Sequence, residues 1–325
     1  MVGSTLQVTS YHGEPAVQET REPLENHMSL FDEIQTSISN LAERVGPSIV
    51  AIGRHQRGSG IVIGDGQVLT NAHNLRGSEV TVTFADGRRE IGTVKAVDGD
   101  GDLAVIGVDT KGAASLDWTV TDGVALGTAV FGAAAANGSG TRITFVTVSA
   151  VERAFRGPGG RRIAGSIEHT APLAPGSSGG ALLDAEGKLV GLNTNRIGDN
   201  FYLALPADTA LRERVDALAR GEAPRRPRLG VAVAPSYVAR RLRRSVGLPE
   251  RDGLLVRDVE DGSPAAKAGI QAGDLIVEAA GKAIIDGDEL VEALASAGDT
   301  FEVKVVRGTE ERTVSVGGGE ATGEA

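Results

Sequence analysis

The chain has 325 residues, enough for two or three domains with an ample buried core. Its hydrophobic content of 41% and charged content of 23% are ordinary for a globular protein, and a net charge of −10 argues against a general nucleic-acid binder. With no cysteine, disulfides, thiolate metal sites and a cysteine nucleophile are excluded. Scarce aromatics (3%) and 45 glycines predict many turns and cores built from Val, Ile, Leu and Ala.

Residues 1–28 are polar and aperiodic and predict a disordered leader, with Met28 an alternative start to Met1. They lack the basic and apolar regions of a secretory signal, and no apolar run approaches the roughly 20 residues of a membrane span. The expectation is a soluble chain with no membrane segment. It is cytoplasmic as it stands, or extracytoplasmic if a leader is missing or altered. From Ser29, the spacing of Leu30, Phe31, Ile34, Ile38, Leu41 and Val45 predicts a helix, with Ser29 and Asp32 as its start signature. Short strands follow at 48–52, 59–63, 67–71, 79–84, 89–97 and 103–108, separated by glycine turns, a pattern that suits a barrel. A second set is predicted at 129–132, 141–151, 162–169, 180–183, 189–193 and 201–205. The glycine-rich connector 155–161 reads as mobile or as a loose hairpin. Leu211, Val215 and Leu218 predict a helix over 208–220, and 221–227 reads as a linker. Arg240 to Arg244 is basic and reads as a solvated helix face, and 317–325 as a flexible tail.

The chemistry concentrates in Ala174-Pro175-Gly176-Ser177-Ser178-Gly179-Gly180-Ala181. Glycines let a hydroxyl project from a tight turn while backbone N–H groups converge on one point, two needs of acyl transfer. Taken alone, the segment would read first as a Gly/Ser turn between strands. A serine nucleophile needs a base, and the base an orienting acid. Of five histidines, His12 and His27 lie in the leader, His55 among arginines and His169 just upstream of the loop. His73 alone follows a strand-like run, in Thr70-Asn71-Ala72-His73-Asn74. In Asp98-Gly99-Asp100-Gly101-Asp102, Asp102 adjoins the apolar run from Leu103 and is the best placed for burial beside an imidazole. A calcium loop over the same aspartates is a weaker reading, because the bidentate glutamate of an EF-hand is missing.

Together GSGIVIGDGQVLTNAHNL, DGDGDLAVIGV and APGSSGGALLDAEGKLVGLNT resemble the protease domain of HtrA (Do-like) serine proteases, over roughly 40–315 when the second domain is included. The resemblance implies a mostly β fold, a chymotrypsin-like double six-stranded barrel at 29–220. In it His73 is the base, Asp102 the orienting acid and Ser178 the nucleophile. The oxyanion hole would use the backbone N–H groups of Gly176 and Ser178, with Ser177 a third candidate. Leu173 and Leu192 are candidate walls of the specificity pocket, implying small or medium aliphatic side chains before the cut. Two features depart from the family pattern: Ser177 replaces the usual Asn, and the segment 169–173 lacks the common Asp. The short connector 52–59 stands where some relatives carry a long regulatory loop, which argues against regulation through it.

From Arg228 the pattern changes, and Arg228-Leu229-Gly230-Val231, GSPAAKAGIQAGDLI and Gly281-Lys282 resemble a bacterial PDZ domain, α+β, over 228–316. By resemblance Arg228, Leu229, Gly230 and Val231 form the loop that captures a peptide C-terminus. The peptide would add as a strand beside 231–233 and face a helix over 288–297. The implied function is ATP-independent endoproteolysis of unfolded or misfolded polypeptides, with no cofactor or metal and with assembly as a homo-oligomer, a trimer by resemblance. Two other readings remain, a catalytically inactive scaffold or chaperone acting through peptide binding and a calcium-binding structural protein.

Overall fold

The structure, a computed structural model, describes residues 29–317 apart from 119, 121–122, 137–139, 158–159, 171, 199 and 225–227. The leader, residues 318–325 of the tail and the end of the linker fall outside the described residues. Helix α1 (Leu30–Val45) starts where the sequence signature predicts. Ser29 Oγ accepts from the Asp32 N–H, and Asp32 accepts from the Ser29 N–H in return, a reciprocal cap worth about 1 kcal/mol.

Strands β1 (Ile49–Ile52), β2 (Gly58–Gly64), β3 (Gln67–Thr70), β4 (Glu79–Thr83), β5 (Arg89–Asp98) and β6 (Leu103–Gly107) close into a barrel in the order β1-β2-β3-β6-β5-β4. A second barrel of the same form contains β7 (Ala129–Ala135), β8 (Thr141–Arg156), β9 (Arg162–His169), β10 (Ala181–Leu183), β11 (Leu189–Ile197) and β12 (Phe201–Pro206), in the order β10-β11-β12-β9-β8-β7. Helix α2 (Thr209–Ala219) follows, with Asp208 capping its first turn.

Strand alternation sorts the apolar side chains into distinct cores. Val50, Ile52, Val62, Val68, Val82 and Ile106 pack within the first barrel, and Val130, Val146, Val148, Leu182 and Val190 within the second. A third cluster takes Leu41 and Val45 from α1, Ile49, Ile61 and Leu103 from the first barrel, Leu183, Leu189 and Leu192 from the second, and Leu211 and Val215 from α2. The two barrels are therefore bound into one body along a shared apolar seam, and the catalytic candidates sit along it.

The C-terminal region is a sheet in the order β13 (Val231–Ala234), β14 (Leu254–Val259), β15 (Leu275–Ala279), β17 (Thr300–Arg307) and β18 (Glu310–Gly317), with β16 (Lys282–Ala283) paired to β15. Helices α3 (Ser236–Ser245), α4 (Pro264–Lys267) and α5 (Gly287–Ser296) pack on it. One expectation needs correction: α3 is not wholly a solvated face. Arg243 is buried and donates to the carbonyls of Pro249 and Gly308, so one arginine of the basic run serves as an internal strut.

Candidate active site and peptide groove

The candidate base and acid come from the first barrel. His73 lies on a short turn after β3, and Asp102 ends the turn between β5 and β6. Asp102 adopts φ +55, a left-handed conformation that Asp tolerates better than most residues. Asn71 donates to its carbonyl at 3.0 Å. The Asp102 carboxylate is buried yet saturated with donors. His73 Nδ1 lies 2.8 Å from Oδ2 and 3.0 Å from Oδ1, the His73 backbone N–H donates at 3.1 Å, and Thr194 Oγ1 donates at 2.7 Å. Such a carboxylate fixes the imidazole ring with its Nδ1–H toward the acid and Nε2 free to act on a substrate.

The loop carrying the candidate nucleophile comes from the second barrel. Gly176 and Gly179 take φ +86 and +85, and a side chain at Gly179 would collide with the Ser59 carbonyl. Glycine is required there because the loop lies directly on β2. Ser59 donates its N–H to the Ser178 carbonyl (2.7 Å) and its Oγ to the Gly176 carbonyl (2.8 Å), and Asn74 Nδ2 also donates to the Ser178 carbonyl (2.9 Å). With both carbonyls held, the N–H groups of Gly176 and Ser178 have no partner among the described residues. Ser177 differs: its N–H donates to the Ala174 carbonyl at 3.2 Å, so the third candidate for the oxyanion hole is occupied within the turn.

The structure does not join the third link. Ser178 Oγ donates to the Thr194 carbonyl at 2.7 Å, and among the described residues no hydrogen bond connects it to the His73 ring. Thr194, which sequence reasoning missed, therefore touches both halves of the site, its hydroxyl on Asp102 and its carbonyl on Ser178. The signal for it was its place as the last residue of the motif APGSSGGALLDAEGKLVGLNT. Behind it, Asn193 ties the loop to the core: its carbonyl accepts from the Gly179 N–H at 2.7 Å, and its Nδ2 donates to the Ala181 carbonyl at 2.9 Å. His169 Nε2 lies 2.9 Å from Asn193 Oδ1, and its ring stacks on Tyr202. Burial pushes the His169 pKa down to about 4, against smaller upward pulls from Asn193 and Glu168.

The two specificity-pocket candidates separate. Leu192 is fully buried in the seam between the barrels, so its side chain belongs to the core and does not wall a pocket. Leu173 stays beside the nucleophile loop, nearly buried in the second barrel's core, with its carbonyl accepting from Tyr202 Oη. The aspartates suggested as a calcium loop diverge: Asp98 pairs with Arg214, Asp100 with Arg161 at 2.6 Å, and Asp102 with His73. Each carboxylate already has its own partner, which removes the physical basis for the calcium reading.

A second site lies in the C-terminal region. Strand β13 is at the sheet edge, and among the described residues it pairs only with β14. A groove runs between it and α5, lined by Leu229, Gly230, Val231, Val233, Leu290 and Leu294. Gly230 has φ +76, and the carbonyls of Leu229 and Gly230 accept from Ala265 and Glu260, both at 3.0 Å. The N–H groups of Leu229 and Gly230 have no partner among the described residues, which suits capture of a carboxylate. Arg228 pairs with Glu260 at 3.0 Å at the groove mouth.

Two arginines of the β8–β9 hairpin link the sites. Arg156 makes a bidentate pair with Asp288 on α5 (2.9 and 2.7 Å), while Arg161 holds Asp100 and reaches the Val291 carbonyl of α5 at 3.3 Å. The ends of a connector read as mobile are therefore anchored, and its residues 158–159 lie outside the described residues.

Paired six-stranded barrels, a His–Asp pair and a serine loop on their seam define a trypsin-like peptidase fold followed by a PDZ fold. Family models agree, matching a trypsin-like peptidase domain at 58–192 and a PDZ domain at 227–317. The chain belongs to the HtrA (Do-like) serine protease family. It is 33% identical over 283 residues to a putative serine protease HhoA of Synechocystis, covering 80% of this chain and 70% of that protein. It is 31% identical over 272 residues to a probable periplasmic DegP-like serine endoprotease of Halomonas elongata, covering 81% of this chain and 56% of that protein. The chain thus spans a little over half the length of the latter relative. Among solved structures, the HtrA-type protease AlgW with decapeptide superposes with a TM-score of 0.71 at 25% identity, covering 88% of this chain and 99% of that one. Among the described residues, no helix is long and apolar enough to cross a membrane.

Proposed function

We propose that the chain is a serine endopeptidase that cuts unfolded or misfolded polypeptides without ATP, through a protease unit at 29–220 and a peptide-binding PDZ unit at 228–316. The single observation that carries this is the buried Asp102 bonded to His73 beside a loop in which the N–H groups of Gly176 and Ser178 have no partner among the described residues. Ser178 Oγ swings from Thr194 to His73 and attacks the scissile carbonyl carbon. The hydroxyl proton passes to His73 Nε2, and Asp102 stabilises the resulting imidazolium through Nδ1–H. The oxyanion is met by the N–H groups of Gly176 and Ser178. His73 then returns the proton to the leaving amine as the C–N bond breaks. Water repeats the sequence on the acyl-enzyme, releasing the acid and restoring Ser178. Leu173 remains the candidate for shaping the pocket before the cut.

A peptide C-terminus adds to the free edge of β13, its carboxylate held by the Leu229 and Gly230 N–H groups and its side chains facing Leu290 and Leu294. Occupancy of that groove bears on α5, which Arg156 ties to the β8–β9 hairpin and Arg161 to Asp100 on the turn carrying Asp102, so peptide binding adjusts the active site. The exposed Leu30 and Phe31 at the start of α1 support self-association of copies of the chain. Ser178 Oγ turned toward Thr194 favours a second reading, a chain inert until peptide binds, or a scaffold throughout. Degradation of casein by the wild type and Ser178→Ala, with and without a hydrophobic C-terminal peptide, separates these. Cleavage abolished in the variant supports the protease, and none under any condition, with the fold intact, leaves the scaffold.

A further inference from the structure

A concave surface on the first barrel lies next to the active site and is unused by the chemistry above. Its lining includes Arg54, His55 and Arg57 from the β1–β2 turn, Asn74 and Arg76 from the segment after His73, and Glu79 at the start of β4. Arg54, Arg57 and Arg76 are exposed, and none has an ion-pair partner among the described residues, although most other described arginines are paired. Glu79 is the one carboxylate of the lining. The surface carries a local excess of positive charge on a chain of net charge −10.

Its position is set by contacts with the nucleophile loop. The Gln56 carbonyl would lie 2.9 Å from a Cβ placed on Gly176, and Asn74, which lines the groove, donates to the Ser178 carbonyl at 2.9 Å. The groove therefore starts beside the oxyanion loop and the residue following His73. The leaving amine must take its proton from His73 Nε2, so the substrate residue after the scissile bond begins at His73. The chain beyond it continues over the surface flanking His73 on the first barrel, where Arg54, Arg57 and Arg76 stand.

We propose that this groove is a substrate subsite for acidic residues, Asp or Glu, in the first few positions after the scissile bond. The proposal rests on the protease reading and deepens it by naming a substrate class. Each exposed pair contributes little, so three arginines together give a preference of about five- to tenfold in kcat/KM, weakened by salt.

The test digests a proteome-derived peptide library with wild type and with Arg54→Ser/Arg57→Ser/Arg76→Ser, reading the cut sites by mass spectrometry. The expected result is enrichment of Asp and Glu after the cut for the wild type, lost in the triple variant and at high salt, with residues before the cut unchanged. No acidic enrichment in the wild type, or enrichment that survives in the triple variant, overturns it. A second arm is independent of catalysis: fluorescent oligoglutamate and oligoglutamine peptides of equal length are titrated into Ser178→Ala with its three arginines intact or replaced. Tighter oligoglutamate binding that needs the arginines supports the subsite, and equal binding overturns it. A wild type that cuts no library peptide counts against the protease reading alone, and the binding arm still decides the groove.

Discussion

The two barrels share a strand order and a closure but contribute unequal halves of the candidate site. The first supplies His73 and Asp102 already bonded to each other, with the Asp102 backbone held by Asn71 and its carboxylate completed by Thr194 of the second barrel. The second supplies a loop whose backbone is set for an oxyanion while its hydroxyl points to Thr194. The candidate acid and base sit on two separate turns of the first barrel and are already bonded to each other, whereas the Ser178 hydroxyl is held by Thr194 and can rotate about its side-chain bond. The half made of packed backbone is preorganised, and the half made of one rotatable hydroxyl is where control can act.

The largest break in this comparison is Asp102→Asn, which leaves the geometry in place but holds His73 in the wrong tautomer. Proteolysis should fall about ten-thousandfold in kcat, measured on an unfolded protein substrate. A fall of less than about tenfold would mean that the finished half is not catalytic.

The second barrel can be probed by pH through His169, buried behind the nucleophile loop. The native residue stays neutral down to about pH 4, while in the unfolded chain it titrates near 6.5. As pH falls through this window the unfolded state takes up a proton that the native state does not. Stability is therefore lost on acidification, by about 3 kcal/mol once pH is below about 4. Urea unfolding at about pH 7 and about pH 4 should show a loss smaller by that amount in His169→Gln. Equal losses would place the acid sensitivity elsewhere.

Thr194→Val sharpens the comparison at the point where the halves meet. It removes the hydroxyl on Asp102 and keeps the carbonyl that holds Ser178. We expect kcat to drop about tenfold with KM little changed, the effect of one hydrogen bond to a charged group. A change confined to KM would assign Thr194 to substrate binding.

The smallest effect is expected between the protease unit and the groove. The Arg156–Asp288 pair is bidentate but largely exposed, so Arg156→Ala and Asp288→Ala should each change peptide-stimulated activity by no more than about fivefold. The double variant should match the singles, because both break one contact. Additive losses would deny the link.

Much of the fold was legible because strand period and glycine turns are local signals. All twelve barrel strands fall where alternation and turns predict, and Ser29 caps α1 as its spacing with Asp32 requires. The reach of β8 and β9 toward α5 was not legible, since an extended hairpin arm is stabilised by its partner strand and by Asp288, 132 residues along the chain from Arg156. Leu192 misled for a related reason: it stands next to the residues that line the loop, but strand alternation turns its side chain into the seam.

By itself the sequence determined the element pattern, the three motifs in order and the residue types able to supply a base, an acid and a nucleophile. Those depend on chemistry and periodicity, which are properties of the chain alone. Only the tertiary structure decided that Thr194 spans the two halves, that the Ser177 N–H is occupied while those of Gly176 and Ser178 have no partner among the described residues, and that Arg54, Arg57 and Arg76 line one surface with Asn74. Direction, burial and partnership of a side chain are set by whatever packs against it, and in this molecule those neighbours come from the other barrel or from distant turns.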